Sequence, residues 1–101
     1  DTRDKRIAVV DRTDVIAPAI VEAAKVRNEN VVLNEDGQKT SPAYLIEVIR
    51  PDDTNAIAQR LALSERVRQG RLHAFVEIDA GVIHPTRGTS DTNVFITEWI
   101  D

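Results

Sequence analysis

Two carboxylates near the start of the chain are the residues best placed to do chemistry. Asp11 directly follows the apolar run Ile7 to Val10, and Asp14 comes shortly after it. Open α/β sheets bind ligands at the carboxyl ends of their strands, where a Mg²⁺-dependent phosphoacceptor or phosphatase would need paired acids. The spacing Asp-Arg-Thr-Asp is not the Asp-x-Asp of haloacid-dehalogenase-type phosphatases. We therefore expect Asp11 to accept hydrogen bonds within its turn, and keep Asp11 and Asp14 as weak ligand candidates.

Other residue types add no catalytic pattern. His73 and His84 are the only imidazoles, and their wide spacing is weak support for a metal site. Cys is absent, which excludes a thiolate nucleophile and a thiolate zinc site. Neither a Gly-rich phosphate loop nor a Gly-x-Ser-x-Gly motif occurs. We expect no catalytic residue, no metal, no cofactor and no enzymatic activity.

Length and charge restrict the class of protein. A chain of 101 residues fits one domain with a single core. The net charge of −4 argues against attraction to nucleic acid or to anionic lipid. The chain begins at Asp1 and contains no Met, so we expect residues 1–101 to be one domain excised from a longer polypeptide.

The apolar pattern alternates between strands and helices. Unbroken β-prone runs predict strands, and Pro18 and Gly70 are suited to a helix start and a helix end. The predicted order is strand Arg6–Asp11, helix Ala17–Asn28, strand Tyr44–Ile49, helix Thr54–Gln69, strand Leu72–Asp79 and strand Asn93–Ile100. This order predicts an α/β domain of three layers, with a parallel sheet in the order 2-1-3, helices packed on it and a fourth, antiparallel strand.

Helical spacing also predicts which side of each helix is buried. In the first helix the inward residues should be Ala17, Ile20, Val21 and Ala24. In the second helix they should be Ile57, Leu61 and Val67, with Ala58 and Ser64 between them. The solvated side of the second helix should then carry Gln59, Arg60, Glu65, Arg66 and Arg68.

Three segments resemble the extracytoplasmic domain of type 2 ABC-transporter permeases of the sodium-export kind. They are Arg6-Ile-Ala-Val-Val-Asp-Arg-Thr-Asp with the helix after it, Leu61 to Asp79, and Val94-Phe-Ile-Thr-Glu-Trp. Together they cover nearly the whole chain, although they are framework patterns and transfer no functional residue. Asp14 stands where that family commonly has Gly, and residues 29–42 match nothing in the pattern.

The resemblance implies a non-catalytic domain on the extracytoplasmic side of the cell membrane. Its parent would be an export permease whose transmembrane helices flank the domain, with ATP hydrolysis supplied by a separate ATP-binding-cassette subunit. Another permease copy would be a further partner. Asp1 and Asp101 would then mark the positions of two flanking transmembrane helices.

Two alternatives stay open from the residues themselves. One is the Mg²⁺-dependent phosphoacceptor or phosphatase module that uses Asp11 and Asp14. The other is a sensor of small ligands or peptides, walled by the loops Asn34–Pro42 and Ala80–Thr92. A small sheet should leave little room for a ligand cavity of ~300 Å³ or more, which argues against the sensor.

Overall fold

The computed structural model, which describes residues 3–31, 35–38, 40–82 and 96–100, contains four strands and two helices in those ranges. The elements are β1 (Lys5–Asp11), α1 (Ala17–Val31), β2 (Tyr44–Ile49), α2 (Ala56–Arg68), β3 (Ala74–Ile78) and β4 (Ile96–Ile100). A single 3₁₀ turn follows β3 at Ala80–Val82. Residues 93–95 of the predicted last strand, and most of the predicted loop 80–92, lie outside the described residues.

The strands form one sheet with β1 in its interior. The order is β2-β1-β3-β4, and β1 pairs in parallel with both β2 and β3. The predicted parallel order 2-1-3 is therefore confirmed. β4 pairs antiparallel with β3, so that Ala74 lies opposite Ile100.

Each face of the sheet has its own core and its own helix. Alternate residues of a strand point to opposite faces, so the neighbours Val9 and Val10 belong to different cores. The core under α1 contains Val9, Ala17 and Ile78, with Ile16, Ile20, Ile46 and Val76 packed against them. The core under α2 contains Ala8, Val10, Leu63, Val67, Leu72 and Phe75. The three-layer arrangement is confirmed.

The first helix is longer than predicted and is rotated slightly about its axis compared with the prediction. It continues to Val31, whereas the sequence indicated an end at Asn28. Ala17 is buried as expected, but the prediction for Val21 is wrong because that side chain is 40% exposed. The last inward-facing turn of α1 is polar, and contacts of Arg27 and Asn28 with the start of β2 set its orientation.

Arg27 and Asn28 attach α1 to the start of β2. The Asn28 amide accepts a hydrogen bond from the Tyr44 N–H at 3.0 Å and donates one to the Tyr44 carbonyl at 2.9 Å. The Arg27 guanidinium lies over the Tyr44 ring, 4.1 Å from its centroid, and donates to the Pro42 carbonyl. The Asn28 side chain thus pairs with β2 as a neighbouring strand would, which closes the start of that outer strand.

The second helix corrects the sequence prediction more strongly. It begins at Ala56, not Thr54, with Asn55 as N-cap accepting a hydrogen bond from the Ala58 N–H. The predicted Gly70 stop is confirmed, because Gly70 has φ +74° in the left-handed region. The buried residues of α2 are Leu63 and Val67.

The predicted burial of Ile57 and Leu61 is wrong, since these side chains are 68% and 65% exposed. Polar residues predicted to be solvated take the flanks of the buried stripe instead. Arg60 and Arg66 reach acids on the sheet, and Gln59 donates to the Arg50 carbonyl at 2.8 Å. Favourable charge pairing therefore turns Leu63 toward the core and leaves the Ile57–Leu61 pair outside.

Two leucines on α2 provide a matched test of this orientation. Leu63→Ala should lower the free energy of unfolding by about 2–5 kcal/mol, because it empties a buried position that is 4% exposed. Leu61→Ala removes the same atoms from a side chain that is 65% exposed and should cost about 0.5 kcal/mol or less. Urea unfolding of both variants measures the difference, and equal losses would show that the helix is turned otherwise.

Candidate functional site at the carboxyl edge of the sheet

Asp11 ends β1 at the edge of the sheet where the sequence placed its candidate site. The residue is only 4% exposed, so its carboxylate requires partners inside the protein. Oδ1 accepts hydrogen bonds from the backbone N–H of Thr13, at 2.9 Å, and from the Thr13 hydroxyl. Oδ2 accepts from the N–H groups of Ile16 at 2.9 Å and Ala17 at 2.7 Å. The carboxylate holds together the turn after β1 and the first turn of α1.

These four donors use the whole acceptor capacity of Asp11, since an ionised carboxylate offers about four lone-pair sites. Burial raises the pKa of Asp11, but hydrogen bonds from Thr13, Ala17 and Ile16 outweigh it and lower the pKa below the ordinary 3.8. The group is ionised at neutral pH, yet it has no lone pair left for Mg²⁺ or for attack on phosphorus. The geometry favours the expected hydrogen-bonding role.

Asp14 occupies the turn in an unusual backbone conformation. Its φ is +64°, in the left-handed region that favours Gly, and its side chain is exposed. A Gly at this position would meet the same backbone requirement without strain. Across residues 3–31, 35–38, 40–82 and 96–100, no three His, Cys, Asp or Glu side chains gather as metal ligands would.

Glu77, on the α2 side of β3, is a buried charge that the sequence analysis did not single out. Its carboxylate accepts hydrogen bonds from Nε of Arg60 at 2.6 Å and from a second Arg60 nitrogen at 3.1 Å. Arg12, from the turn after β1, adds a contact at 3.3 Å. The Arg60 hydrogen bonds lower the pKa of Glu77 despite its burial, and Arg12 lowers it further. Two guanidinium groups occupy the oxygens of this carboxylate and lower its basicity, which disfavours a role as a general base.

A second pair repeats this arrangement on the other side of β1. Glu47 of β2 accepts two hydrogen bonds from Arg66 of α2, at 2.8 and 3.0 Å. The Arg66 hydrogen bonds lower the pKa of Glu47, and Arg6 contributes to the same shift. The signal in the sequence was a single acid inside each of two apolar strands, because a half-buried or buried acid needs a cation on the helix above it.

His73, another predicted candidate, lies at the opposite, amino edge of the sheet. The backbone N–H of His73, just before β3, donates to the Arg6 carbonyl at 2.8 Å. His84 is outside the described residues. Asp79 caps the 3₁₀ turn by accepting from the Gly81 N–H. The sheet was expected to leave little room for a ligand cavity, and the described residues border open clefts of about 530, 430 and 340 Å³ along the sheet and α1.

Comparison with known proteins identified no relative of this chain. No family model, no curated protein and no solved structure matches the chain. In the part of the chain that the structure describes, neither helix combines the length and the apolarity that a membrane crossing requires.

Substitution of Asp11 should show its structural role. Asp11→Asn replaces an acceptor of four hydrogen bonds by an amide that faces N–H groups with its own donors, and should cost about 2–4 kcal/mol of unfolding free energy. Asp14→Asn retains a residue that tolerates positive φ and should change stability by about 0.5 kcal/mol or less. Chemical denaturation compares the two, and a folded Asp11→Asn protein of wild-type stability would contradict this role.

Acid should destabilise the protein through Glu77. Because its folded-state pKa lies below the ordinary 4.5, its stabilising effect is complete above pH 4.5 and is lost as the pH falls through the lower folded-state value. Glu77→Gln should therefore lower stability at neutral pH and flatten its decline in acid. Urea unfolding at several pH values tests this, with Glu22→Gln on the exposed side of α1 as a matched control that keeps the wild-type decline.

Proposed function

We propose that this chain is a non-catalytic extracytoplasmic domain of an ABC exporter permease, inserted between two transmembrane helices of its parent. Export would be driven by a separate ATP-binding-cassette ATPase subunit that contacts the parent protein in the cytoplasm. The domain itself would lie outside the cell membrane, where it shapes the exit side of the permease or contacts another permease copy.

The observation that carries this proposal is the position of the first and last strands. β1 runs parallel to β3, β4 runs antiparallel to it, and Ile7 and Ile100 both lie beside Ala74. The start of β1 and the end of β4 therefore share one edge of the sheet. A domain inserted between two membrane-spanning helices must return the chain to the surface that it left, and this topology is compatible with such a return.

The occupied carboxyl edge is consistent with a domain that does no chemistry. Asp11 has four donors on its two oxygens, and Glu77 lies between two arginines. The phosphoacceptor alternative needs Asp11 to bind a metal or a phosphoryl group, which would break contacts that start α1. For this reason we do not adopt that alternative.

The absence of Cys gives a direct test of location. A cysteine introduced by Asp53→Cys, at an exposed position before α2, would be the only thiol of the domain. In intact cells carrying the parent protein, with any cysteines elsewhere in it replaced, a membrane-impermeant maleimide should label this residue. A cysteine in the ATPase subunit should react only after the membrane is permeabilised, and the same behaviour at position 53 would contradict the proposal.

The parent gene offers an independent check. Apolar segments of about 20 residues should flank the domain on both sides, since that length spans a bilayer as a helix. A coding sequence without them would rule out the insertion.

A further inference from the structure

Cations are concentrated at the amino edge of the sheet, where β1, β2 and β3 begin. A cleft of about 530 Å³ lies there between the chain entering β1 and the connection from α2 to β3. Its charged lining consists of Arg3, Lys5, Arg6 and Arg71, with Asp4 as the only acid among the described lining residues. His73 lies beside them. The chain as a whole carries a net charge of −4, so the described lining of this cleft is opposite in sign.

Backbone hydrogen bonds hold the chain around the cleft on two sides. At the end of α2 the Arg66 carbonyl accepts hydrogen bonds from the N–H groups of Arg71, at 2.9 Å, and Leu72, at 3.2 Å. Gly70, with φ +74°, makes this tight reversal possible. The His73 N–H then donates to the Arg6 carbonyl at 2.8 Å, which joins the connection to β1. The cleft is therefore built on hydrogen-bonded backbone.

Two guanidinium groups of this edge, those of Arg6 and Arg71, are only weakly engaged by acids among the described residues. Arg6 is 54% exposed in its side chain, and it approaches Glu47 only to 3.8 Å, whereas Arg66 binds Glu47 at 2.8 Å. Arg71 is exposed and donates to the neutral amide oxygen of Gln69 at 3.1 Å. Since Arg66 is the main partner of Glu47 and Gln69 carries no charge, Arg6 and Arg71 leave an excess of positive charge at the cleft.

We propose that the amino-edge cleft binds a phosphate group. Guanidinium groups bind phosphate oxygens with paired hydrogen bonds, and Lys5 adds a point charge beside them. The volume of the cleft falls within the range of small-ligand sites, about 300–1,000 Å³. The net charge predicted no attraction to anionic lipid, but a local field is set by nearby charges and a cleft concentrates it.

The phosphate could belong to a free anion or to a lipid headgroup. Because β1 begins and β4 ends at this edge, a domain inserted between transmembrane helices would turn the cleft toward the membrane surface. The lipid source therefore rests on the proposed function. Phosphate recognition itself rests on the cleft alone.

Two measurements on this chain separate the sources. Inorganic phosphate, added against sodium chloride of equal ionic strength, should shift the backbone amide resonances of residues 70–73. The protein should co-sediment with vesicles of phosphatidylglycerol and phosphatidylcholine in equal parts. It should not co-sediment with vesicles of phosphatidylcholine alone. Shifts without sedimentation identify a free phosphate as the ligand, and sedimentation identifies a headgroup.

The variant Lys5→Gln with Arg71→Gln tests the site. Each cation removed near an anionic membrane surface should weaken partitioning about fivefold, so the double variant should lose about 25-fold. Arg50→Gln removes a cation from the opposite edge, just after β2, and should bind as the wild type does. Circular dichroism confirms that each variant is folded.

Either of two results would overturn the site. One is that phosphate shifts no resonance and the protein does not co-sediment with the vesicles. The other is that the double variant and Arg50→Gln bind equally well. If the parent gene lacks flanking transmembrane helices while the phosphate shifts are present and depend on Lys5 and Arg71, the proposed function fails and the anion site stands.

Discussion

The rest of the domain depends on the burial of β1 on both of its faces. Val9 and Val10 belong to different cores, and each is nearly inaccessible to solvent. The strand ends in a buried carboxylate, so Asp11 must find its hydrogen bonds within the protein. It takes them from the turn that follows and from the first turn of α1, which fixes where that helix begins. The position that other α/β proteins use for ligands thus serves here to join strand to helix.

A second constraint sets the orientation of α2. Glu47 and Glu77 lie on the face of the sheet that this helix covers, and Arg66 and Arg60 reach them from its two flanks. Leu63 is then brought between the arginines and into the core. Buried ion pairs often add little net stability compared with apolar residues, but breaking one leaves an uncompensated charge. The two pairs therefore select one rotation of the helix more than they strengthen its attachment.

This constraint explains what the sequence could and could not predict. Apolar β-prone runs located the parallel strands, and Gly70 located the end of α2, because these signals are local. The rotation of α2 is not local. Ile57 and Leu61 form one apolar stripe at helical spacing, and Leu63 and Val67 form another, so the helix alone does not decide between them. The acids on β2 and β3, the strands on either side of β1, decide, and their positions under the helix appear only in the folded sheet.

The two edges of the sheet consequently differ in what they offer to a ligand. At the carboxyl edge, Asp11 and Glu77 carry full charge, but their oxygens are occupied by donors of the same domain. At the amino edge, the described partner of the Arg71 guanidinium is the neutral side-chain amide of Gln69. A new partner at the carboxyl edge would have to displace contacts that hold the fold, whereas an anion at the amino edge would compete at Arg6 and Arg71 with a 3.8 Å approach to Glu47 and one hydrogen bond to a neutral amide. Binding without a loss of stability is therefore favoured at the amino edge.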